Sequence, residues 1–147
     1  MVIKEAITKL VDGESLEQAE AAKVMEELME GEATPAQFAA FATALRMKGE
    51  TVEEMTGLAS VMRAHALHVP TSLPVIDTCG TGGDASGTFN ISTTAAFVVA
   101  AAGVPVAKHG NRAASSRCGS ADVLEALGVA IDLNPDEVAS CIDRAGV

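Results

Sequence analysis

The sequence predicts an α/β protein in which a small all-helical N-terminal domain precedes the first part of a parallel-sheet α/β domain. Residues 1–66 contain four segments with apolar residues at helical spacing, each bounded by capping residues or glycines. From Val75 onward, short apolar runs alternate with helix-like segments, which is typical of strand–helix–strand units with parallel strands. We therefore predict a helical domain at 1–66, a hinge or linker at 67–74 and an incomplete α/β domain at 75–147.

The composition narrows the class of protein. Of the 147 residues, 48% are hydrophobic, yet four are Phe and none is Trp or Tyr, so the core must consist of aliphatic side chains and Met. The formal net charge of -10 argues against nucleic acid or an anionic membrane as partner. Three widely spaced cysteines, no signal-peptide pattern and no apolar run long enough for a bilayer predict a cytoplasmic protein that does not enter a membrane.

The first two helices have clear start and stop signals. The first is predicted to end at Gly13. The second is predicted to begin with Ser15 as its N-cap, with Gln18 completing a capping box, and to end at Gly31. The residues of the first helix that share one face, and should face the core, are Ile3, Ala6, Ile7 and Leu10.

The third and fourth helices are predicted to begin after Thr34 and Thr51, each of which opens a capping box. Their apolar stripes are expected to pack in the core, and a subunit interface is the alternative. The residues predicted to face inward are Phe38, Phe41, Ala42 and Leu45 in the third helix and Val52, Met55, Leu58, Ala59 and Met62 in the fourth.

The second half of the chain is predicted to alternate between buried strands and helices. Ser120 and Asn134 are the expected N-caps of its last two helices. A sheet of three parallel strands is small, and we expect the chain to stop within this domain. The predicted strands are 75–78, 104–107 and 129–133, and the predicted helices are 93–102, 120–127 and 135–146.

A glycine-rich loop follows the first predicted strand, at the edge where open α/β sheets bind ligands. Its glycines would let backbone amides approach phosphate oxygens, although a plain tight turn remains an alternative. The dinucleotide fingerprint fits poorly because no helix begins directly after the glycines and the second strand ends on Lys108 rather than an acid. The Walker sequence is absent, and Asp77 lacks the second acid of type I phosphoribosyltransferase loops.

A basic segment lies in the middle of this acidic chain, since no Asp or Glu occurs between Asp84 and Asp122. It contains Lys108, His109 and Arg112, which follow the second predicted strand. Residues 90–93 stand at a predicted helix start, where amides, hydroxyls and the helix dipole favour an anion. Together these segments predict a site for a phosphorylated small molecule, with a solvated basic loop as the alternative.

Two motifs carry a resemblance to a known family. The segments DTCGTGGDASGTFNIST (77–93) and VAKHGNRAASSRCGSADVLEALGV (106–129) resemble the anthranilate phosphoribosyltransferase family of tryptophan and aromatic amino-acid biosynthesis. The resemblance extends over the whole chain and implies a nucleoside phosphorylase/phosphoribosyltransferase-like architecture. Members of the family are more than twice as long as this chain, so the resemblance is to their N-terminal portion.

The resemblance implies a transferase, more narrowly a glycosyltransferase and phosphoribosyltransferase. Such enzymes move the phosphoribosyl group of phosphoribosyl pyrophosphate to anthranilate, giving N-(5-phosphoribosyl)anthranilate and pyrophosphate. They use Mg²⁺, and they form homodimers through the helical domain. The family's acidic metal ligands lie in the second half, so we expect this chain alone to be inactive. The alternative is a non-catalytic module of the same superfamily that binds phosphate ligands or dimerises.

The resemblance also implies site residues. Lys108, Asn111 and Arg112 match the catalytic loop, Gly80 and Asn111 match positions lining the anthranilate pocket, and Ser92 matches a magnesium ligand. The positions that match phosphoribosyl-pyrophosphate contacts are Gly80, Gly83, Asp84, Thr88, Asn90, Ile91, Ser92, Thr93, Lys108, His109, Gly110, Asn111, Arg112, Ala113, Ala114, Ser115, Ser116 and Ser120.

Overall fold

The computed structural model describes residues 2–80, 87–113 and 118–147. The chain divides into two compact units, Met1–Ala66 and Leu67–Val147. The helices of the first unit are α1 (Val2–Val11), α2 (Gln18–Met29), α3 (Pro35–Lys48) and α4 (Val52–His65), and those of the second are α5 (Ile91–Ala101), α6 (Ser120–Ala126) and α7 (Pro135–Ala145). None of the helices in the described ranges is long and apolar enough to cross a membrane.

The first helix packs as its sequence predicts. Ile3, Ala6 and Leu10 are buried, and Ile7 packs against the same core. The N-terminus of α1 is held by Glu27 of α2, whose carboxylate accepts a hydrogen bond of 2.9 Å from the Ile3 amide. A side chain of α2 thus supplies the acceptor that the first turn of α1 needs.

The predicted start of α2 was wrong by two residues. Its N-cap is Glu17, which forms a capping box with Glu20, and Ser15 is not the cap. The reason is Leu16, which is only 2% exposed and whose amide donates to the Glu54 carboxylate at 2.9 Å. Burial of Leu16 keeps the chain extended up to Glu17, so the helix begins after it.

The capping predictions for α3 and α4 are confirmed. Thr34 and Thr51 are the N-caps, and each forms a capping box with the residue three positions later. The predicted inward faces are only partly right. Phe41, Leu45 and Leu58 are buried, whereas the remaining predicted residues are exposed, namely Phe38, Ala42, Val52, Met55, Ala59 and Met62.

The close approach of α2 determines which face of α4 is buried. Gly57 lies against α2, where a Cβ atom would be 2.3 Å from the Gln18 carbonyl oxygen. The buried residues of α4 are therefore Glu54, Gly57 and Leu58 rather than its longer apolar stripe. A carboxylate and a glycine do not register as apolar in a hydrophobic pattern, which explains the wrong prediction.

The second unit contains one parallel pairing between chain segments in its described part. Ile76 and Val106 form an isolated parallel bridge, with hydrogen bonds from the Ile76 amide to the Pro105 carbonyl and from the Ala107 amide to the Ile76 carbonyl. On its other side, the Val106 amide donates to the Gly146 carbonyl at 2.9 Å. The first two predicted strands are thus adjacent and parallel, but only at this bridge.

Several predictions for the second unit were wrong. Residues 129–133 form neither a strand nor a bridge in the described structure. The first strand segment and α5 were predicted to be buried, yet Ile76 is 44% exposed and Val98 is 64% exposed. A parallel pair buries its side chains only where other layers cover it, and a single bridge provides little such cover.

Helix boundaries in this unit mostly follow their caps. Asn134 caps α7, accepting hydrogen bonds from the Asp136 and Glu137 amides as predicted. The prediction that Ser120 caps α6 was wrong, because Ser120 is the first helical residue and Gly119 is the N-cap. The Gly119 amide donates to the Asp122 carboxylate, which leaves the Ser120 hydroxyl for another contact.

Candidate phosphate-binding site

Two neighbouring side chains, Asp77 and Thr78, connect the segments that the sequence predicts to bind phosphate. The Asp77 carboxylate accepts hydrogen bonds from the Cys79 amide at 2.8 Å and from the His109 amide at 3.2 Å. The Thr78 hydroxyl donates to the Ser92 carbonyl oxygen at 2.8 Å. The entry to the glycine loop is therefore bonded to both the basic loop and the first turn of α5.

The charge of Asp77 is stabilised by these contacts. Loss of hydration alone would raise the pKa of Asp77, but the hydrogen bonds from Cys79 and His109 and the positive charge of Lys108 hold it below its usual range. Asp77 also raises the pKa of the Cys79 thiol by hydrogen bonding. Asp77 is therefore an ionised acceptor at neutral pH.

In the basic loop, residues 108–113, the side chain of Lys108 lies near Gly110. The Lys108 ammonium donates to the His109 carbonyl at 2.7 Å, and it lies 3.9 Å from where a Cβ atom on Gly110 would be. That added atom would also be 2.5 Å from the Ser120 hydroxyl. Gly110 thus lets the loop pass close to the Ser120 hydroxyl, which a larger residue would displace, whereas Lys108 is at an ordinary contact distance.

The N-terminal end of α6 packs against the backbone of the same loop. The Asn111 amide donates to the Ser120 hydroxyl at 3.1 Å, and the Ala121 amide donates to the Asn111 carbonyl at 3.1 Å. A Cβ atom on Gly119 would lie 2.4 Å from the Ala113 amide nitrogen. The backbone amide and the backbone carbonyl of Asn111 are thus both bonded to α6, and Asn111 itself is exposed.

Arg112 is bonded to two acidic side chains of α6. Its guanidinium contacts both carboxylate oxygens of Glu125, at 2.8 and 3.1 Å, and one oxygen of Asp122 at 3.3 Å. Glu125 is the main cause of a raised pKa for Arg112, and Arg112 in turn lowers the pKa of Glu125. The positive charge that the sequence predicts for phosphate is paired with carboxylates in this structure.

Asp122 also holds the backbone on both sides of residues 114–117. One of its oxygens accepts from the Gly119 amide at 2.8 Å and from the Ala113 amide at 2.9 Å. These two hydrogen bonds, more than the contact with Arg112, lower the pKa of Asp122. The loop is therefore fixed to α6 through three successive residues, Asn111, Arg112 and Ala113.

The first turn of α5 contains the other predicted phosphate ligands. Asn90 is the N-cap, and its carbonyl accepts from the Thr94 amide at 3.0 Å. Ser92 is half-buried, and Ile91 is 52% exposed. Thr93 is 3% exposed, and its hydroxyl has no hydrogen-bond partner within the described part of the chain. A buried hydroxyl without a hydrogen-bond partner is unusual in a folded protein.

The remaining predicted residues are either exposed or lie outside the described residues. Gly80 is described and exposed, and among the described residues none other than its chain neighbours lies within 4 Å of where its Cβ would be. Thr88 is also described and exposed. The predicted residues Gly83, Asp84, Ala114, Ser115 and Ser116 lie outside the described residues.

The site offers some, but not all, of the oxygen ligands that a magnesium ion prefers. Mg²⁺ prefers oxygen ligands and is usually bound by one or two carboxylates together with substrate phosphates and water. Ser92 offers a half-buried hydroxyl. Across residues 2–80, 87–113 and 118–147, no group of three His, Cys, Asp or Glu side chains is arranged to hold a metal ion. Ser92 therefore fits a magnesium ion that a phosphorylated ligand also holds.

Sequence reasoning missed the connecting residues, Asp77, Thr78 and Asp122. Each bonds to a backbone group of another segment, and a hydrogen bond to the backbone leaves no pattern in the partner's side chain. Asp122 had a local signal, because it stands three positions after the N-cap of α6, where a carboxylate reaches back to the N-cap amide.

Comparison with known proteins gives close relatives. The anthranilate phosphoribosyltransferase of Moorella thermoacetica is 64% identical over 147 residues, which are 99% of this chain and 43% of that protein. The enzyme of the same name from Chloroflexus aurantiacus is 65% identical, over 100% of this chain and 43% of its own length. The chain thus spans less than half the length of these relatives.

Solved structures agree with the sequence relatives. A crystal structure of anthranilate phosphoribosyltransferase from Thermus thermophilus has a TM-score of 0.79 and 49% identity, covering 96% of this chain and 43% of that one. The Saccharomyces cerevisiae enzyme, in complex with phosphoribosyl pyrophosphate and Mg, has a TM-score of 0.77 and 28% identity, covering 97% of this chain and 44% of that one.

Family models match both units of the chain. The helical bundle domain of the glycosyl transferase family matches residues 4–66. The a/b domain of the same family matches residues 72–147, which is more than half of the chain. With relatives and structures pointing the same way, the chain belongs to the glycosyl transferase family that is built from these two domains.

Proposed function

We propose that this chain is the N-terminal portion of an anthranilate phosphoribosyltransferase and supplies its binding site for phosphoribosyl pyrophosphate. The enzyme would transfer the phosphoribosyl group to the amine of anthranilate in tryptophan biosynthesis. The identity of more than 60% with enzymes of that name supports this proposal. The observation that carries it is the joining of the α5 first turn and the basic loop through Thr78 and Asp77.

The two joined segments divide the work of binding an anionic substrate. Lys108 supplies a positive charge, and the amides at the start of α5 supply hydrogen-bond donors with the helix dipole behind them. Ser120 and the loop 108–113 form the wall on the α6 side. The proposed substrate contacts are all the positions that match the family motif, including those outside the described residues.

The proposed reaction needs little covalent chemistry from the protein. The bond between ribose C1 and the pyrophosphate oxygen breaks, a bond from C1 to the anthranilate nitrogen forms, and the amine loses a proton. Positive charge develops on the sugar and negative charge on the leaving pyrophosphate. Lys108 and the backbone amides are positioned to stabilise that negative charge, which is the usual way an enzyme lowers such a barrier.

Magnesium and anthranilate have separate proposed contacts. When bound, Mg²⁺ would neutralise charge on the pyrophosphate, and Ser92 would hold it together with substrate oxygens. Gly80 and the side chain of Asn111 would line the anthranilate pocket. Arg112 is proposed to act in the catalytic loop, where its pairing with Glu125 and Asp122 fixes the backbone next to Asn111.

The architecture proposed for the whole protein is a parallel-sheet α/β domain after the helical domain, with residues 67–74 as a hinge. The parallel bridge between Ile76 and Val106 supports the sheet, because its hydrogen bonds have the pattern of adjacent parallel strands. The matches of the two family domains, which end at 66 and begin at 72, support the hinge.

Removing the lysine charge is expected to weaken substrate binding. In a calorimetric or thermal-shift titration with phosphoribosyl pyrophosphate and Mg²⁺, the native chain should show saturable binding and a raised Tm. Lys108→Ala should weaken binding by about 1.5–3 kcal/mol, the scale of a charge-assisted hydrogen bond. Lys4→Ala, which removes an exposed lysine of α1, is the control. Equal affinities of Lys108→Ala and the native chain would remove Lys108 from the site.

We also propose a homodimer through the helical domain. Four apolar side chains of α4 form an exposed stripe: Val52, Met55 and Met62 are 77%, 51% and 53% exposed, with Ala59 between them. A second copy of the chain is the partner that the resemblance implies, and covering this stripe would remove apolar area from water.

A charge placed in this stripe should separate the dimer. Met55→Glu would have to bury a carboxylate without a partner, which is strongly unfavourable. In sedimentation velocity, the native chain should be a dimer and Met55→Glu a monomer. Ala19→Glu, on an exposed position of α2, should leave the dimer intact. A native chain that stays monomeric at high micromolar concentration would contradict the proposal.

A further inference from the structure

We propose that Asp77 and Thr78 are positioning residues that fix the separation of two anion-binding segments, the first turn of α5 and the loop 108–113. The inference deepens the proposed function and rests on it, because the ligand that spans the two segments is phosphoribosyl pyrophosphate. Neither residue is among the positions that the resemblance assigns to substrate or metal.

Asp77 and Thr78 directly follow Ile76, whose backbone pairs with that of Val106. Asp77 reaches the basic loop at the His109 amide, and Thr78 reaches α5 at the Ser92 carbonyl. Two consecutive residues thus bond to two segments that are far apart in the sequence, so the distance between those segments depends on this pair.

The backbone hydrogen bonds between the two strand segments do not extend far enough to fix this separation alone. Among the described residues, the last backbone hydrogen bond between the two strand segments is from the Ala107 amide to the Ile76 carbonyl. Beyond it, the Asp77 side chain continues the connection by accepting from His109. Lys108 lies between these two attachments, so both of its neighbours are held.

A direct contact of Asp77 with the ligand is disfavoured by charge. Its carboxylate is ionised, and an anion would be repelled by it. The oxygen that accepts from His109 also accepts from Cys79. Asp77 therefore acts on the ligand through the backbone that it holds, which is what a positioning residue does.

The test compares variants that keep or remove each hydrogen bond. Asp77→Asn keeps a carbonyl oxygen that can accept from both amides, and Asp77→Ala removes it. Thr78→Ser keeps the hydroxyl, and Thr78→Val removes it with little change of shape. Asp132→Ala, which removes an exposed carboxylate of the same unit, is the control for charge.

Affinities for phosphoribosyl pyrophosphate and for inorganic pyrophosphate, each with Mg²⁺, are measured by calorimetry. Asp77→Ala and Thr78→Val should bind phosphoribosyl pyrophosphate about tenfold more weakly, since each loses a hydrogen bond that prearranges the site. Their affinity for pyrophosphate should fall by less than about threefold, because a shorter ligand depends less on the separation of two segments. Asp77→Asn and Thr78→Ser should stay within about threefold of the native chain for both ligands.

Three results would overturn the proposal. One is native affinity in Asp77→Ala and Thr78→Val. Another is an equal loss for both ligands, which would indicate direct contact. The third is a loss in Asp77→Asn as large as in Asp77→Ala, which would make charge, rather than the hydrogen bonds, the cause.

A second measurement separates this proposal from the proposed function. In amide NMR spectra without ligand, Asp77→Ala should shift the His109 and Cys79 amide protons upfield, and Asp77→Asn should leave them near their native positions. If the native chain binds neither ligand, its proposed function fails and these shifts decide whether Asp77 holds the loop. Unchanged amide shifts in Asp77→Ala would show that it does not.

Discussion

Replacing Glu54 by alanine is expected to destabilise the helical unit by about 3–5 kcal/mol, the cost of breaking a buried ion pair by removing one partner. Glu54 is 0% exposed and accepts hydrogen bonds from the Leu16 and Thr51 amides and from the Lys48 ammonium. Its removal leaves the Lys48 side chain, which is only 7% exposed, without that partner. Chemical denaturation followed by circular dichroism measures the loss.

The neighbouring glutamate provides a matched control. Glu53 precedes Glu54 in α4 and is exposed, so Glu53→Ala should change stability by less than about 0.5 kcal/mol. Similar losses in the two variants would mean that the buried contacts of Glu54 contribute nothing beyond helix propensity.

Glu54 should also make stability depend on pH. Burial alone would raise the pKa of Glu54, but the hydrogen bonds from Leu16, Thr51 and Lys48 lower it on balance. The unfolded chain then binds a proton more readily than the folded one, so stability is retained above the ordinary carboxyl pKa of about 4.3 and is lost as pH falls through the lower folded value. Glu54→Gln should flatten this acid-side loss.

Replacing Gly57 by alanine is expected to cost the helical unit about 3 kcal/mol or more, the upper end of the range for overpacking. The added Cβ atom would lie 2.3 Å from the Gln18 carbonyl oxygen and 3.0 Å from both the Ala21 Cβ and the Ala22 amide nitrogen. Two of these atoms are backbone, so relief requires α2 and α4 to move apart rather than a side chain to rotate.

A nearby position on α4 isolates this effect from helix propensity. Thr56 is exposed, and Thr56→Ala introduces the same residue one position earlier. Alanine is the better helix former at either site, so Thr56→Ala should be neutral or slightly stabilising. A Gly57→Ala variant as stable as the native protein would show that the two helices are not in close contact at this point.

Local sequence signals predicted the positions of the helices well. They predicted less well which face of each helix is buried. The caps at Thr34, Thr51 and Asn134 act within one turn, so sequence alone places them. Which face of α4 is buried depends on the approach of α2 at Gly57 and on a carboxylate in the core. Hydrophobic periodicity therefore pointed to Met55 and Met62, which are exposed.

In the candidate site, too, local features could be predicted from the sequence, whereas contacts between distant segments could not. Residue types in the basic loop and at the start of α5 predict phosphate chemistry, because positive charge, small residues and a helix N-terminus have local signatures. How the segments are joined depends on hydrogen bonds such as Asp77 to His109, which cross 32 residues of sequence. The pairing of Arg112 with Glu125 had no pattern that would distinguish it from a phosphate contact.

The hydrogen bond from Val106 to Gly146 bears on the order in which the chain acquires structure. It joins two segments that are far apart in the sequence, as does the bridge between Ile76 and Val106. Loop closure slows the search for distant contacts, and helical bundles form quickly. During synthesis, the helical unit should thus form early, while the pairing of Val106 requires the chain to be made as far as Gly146.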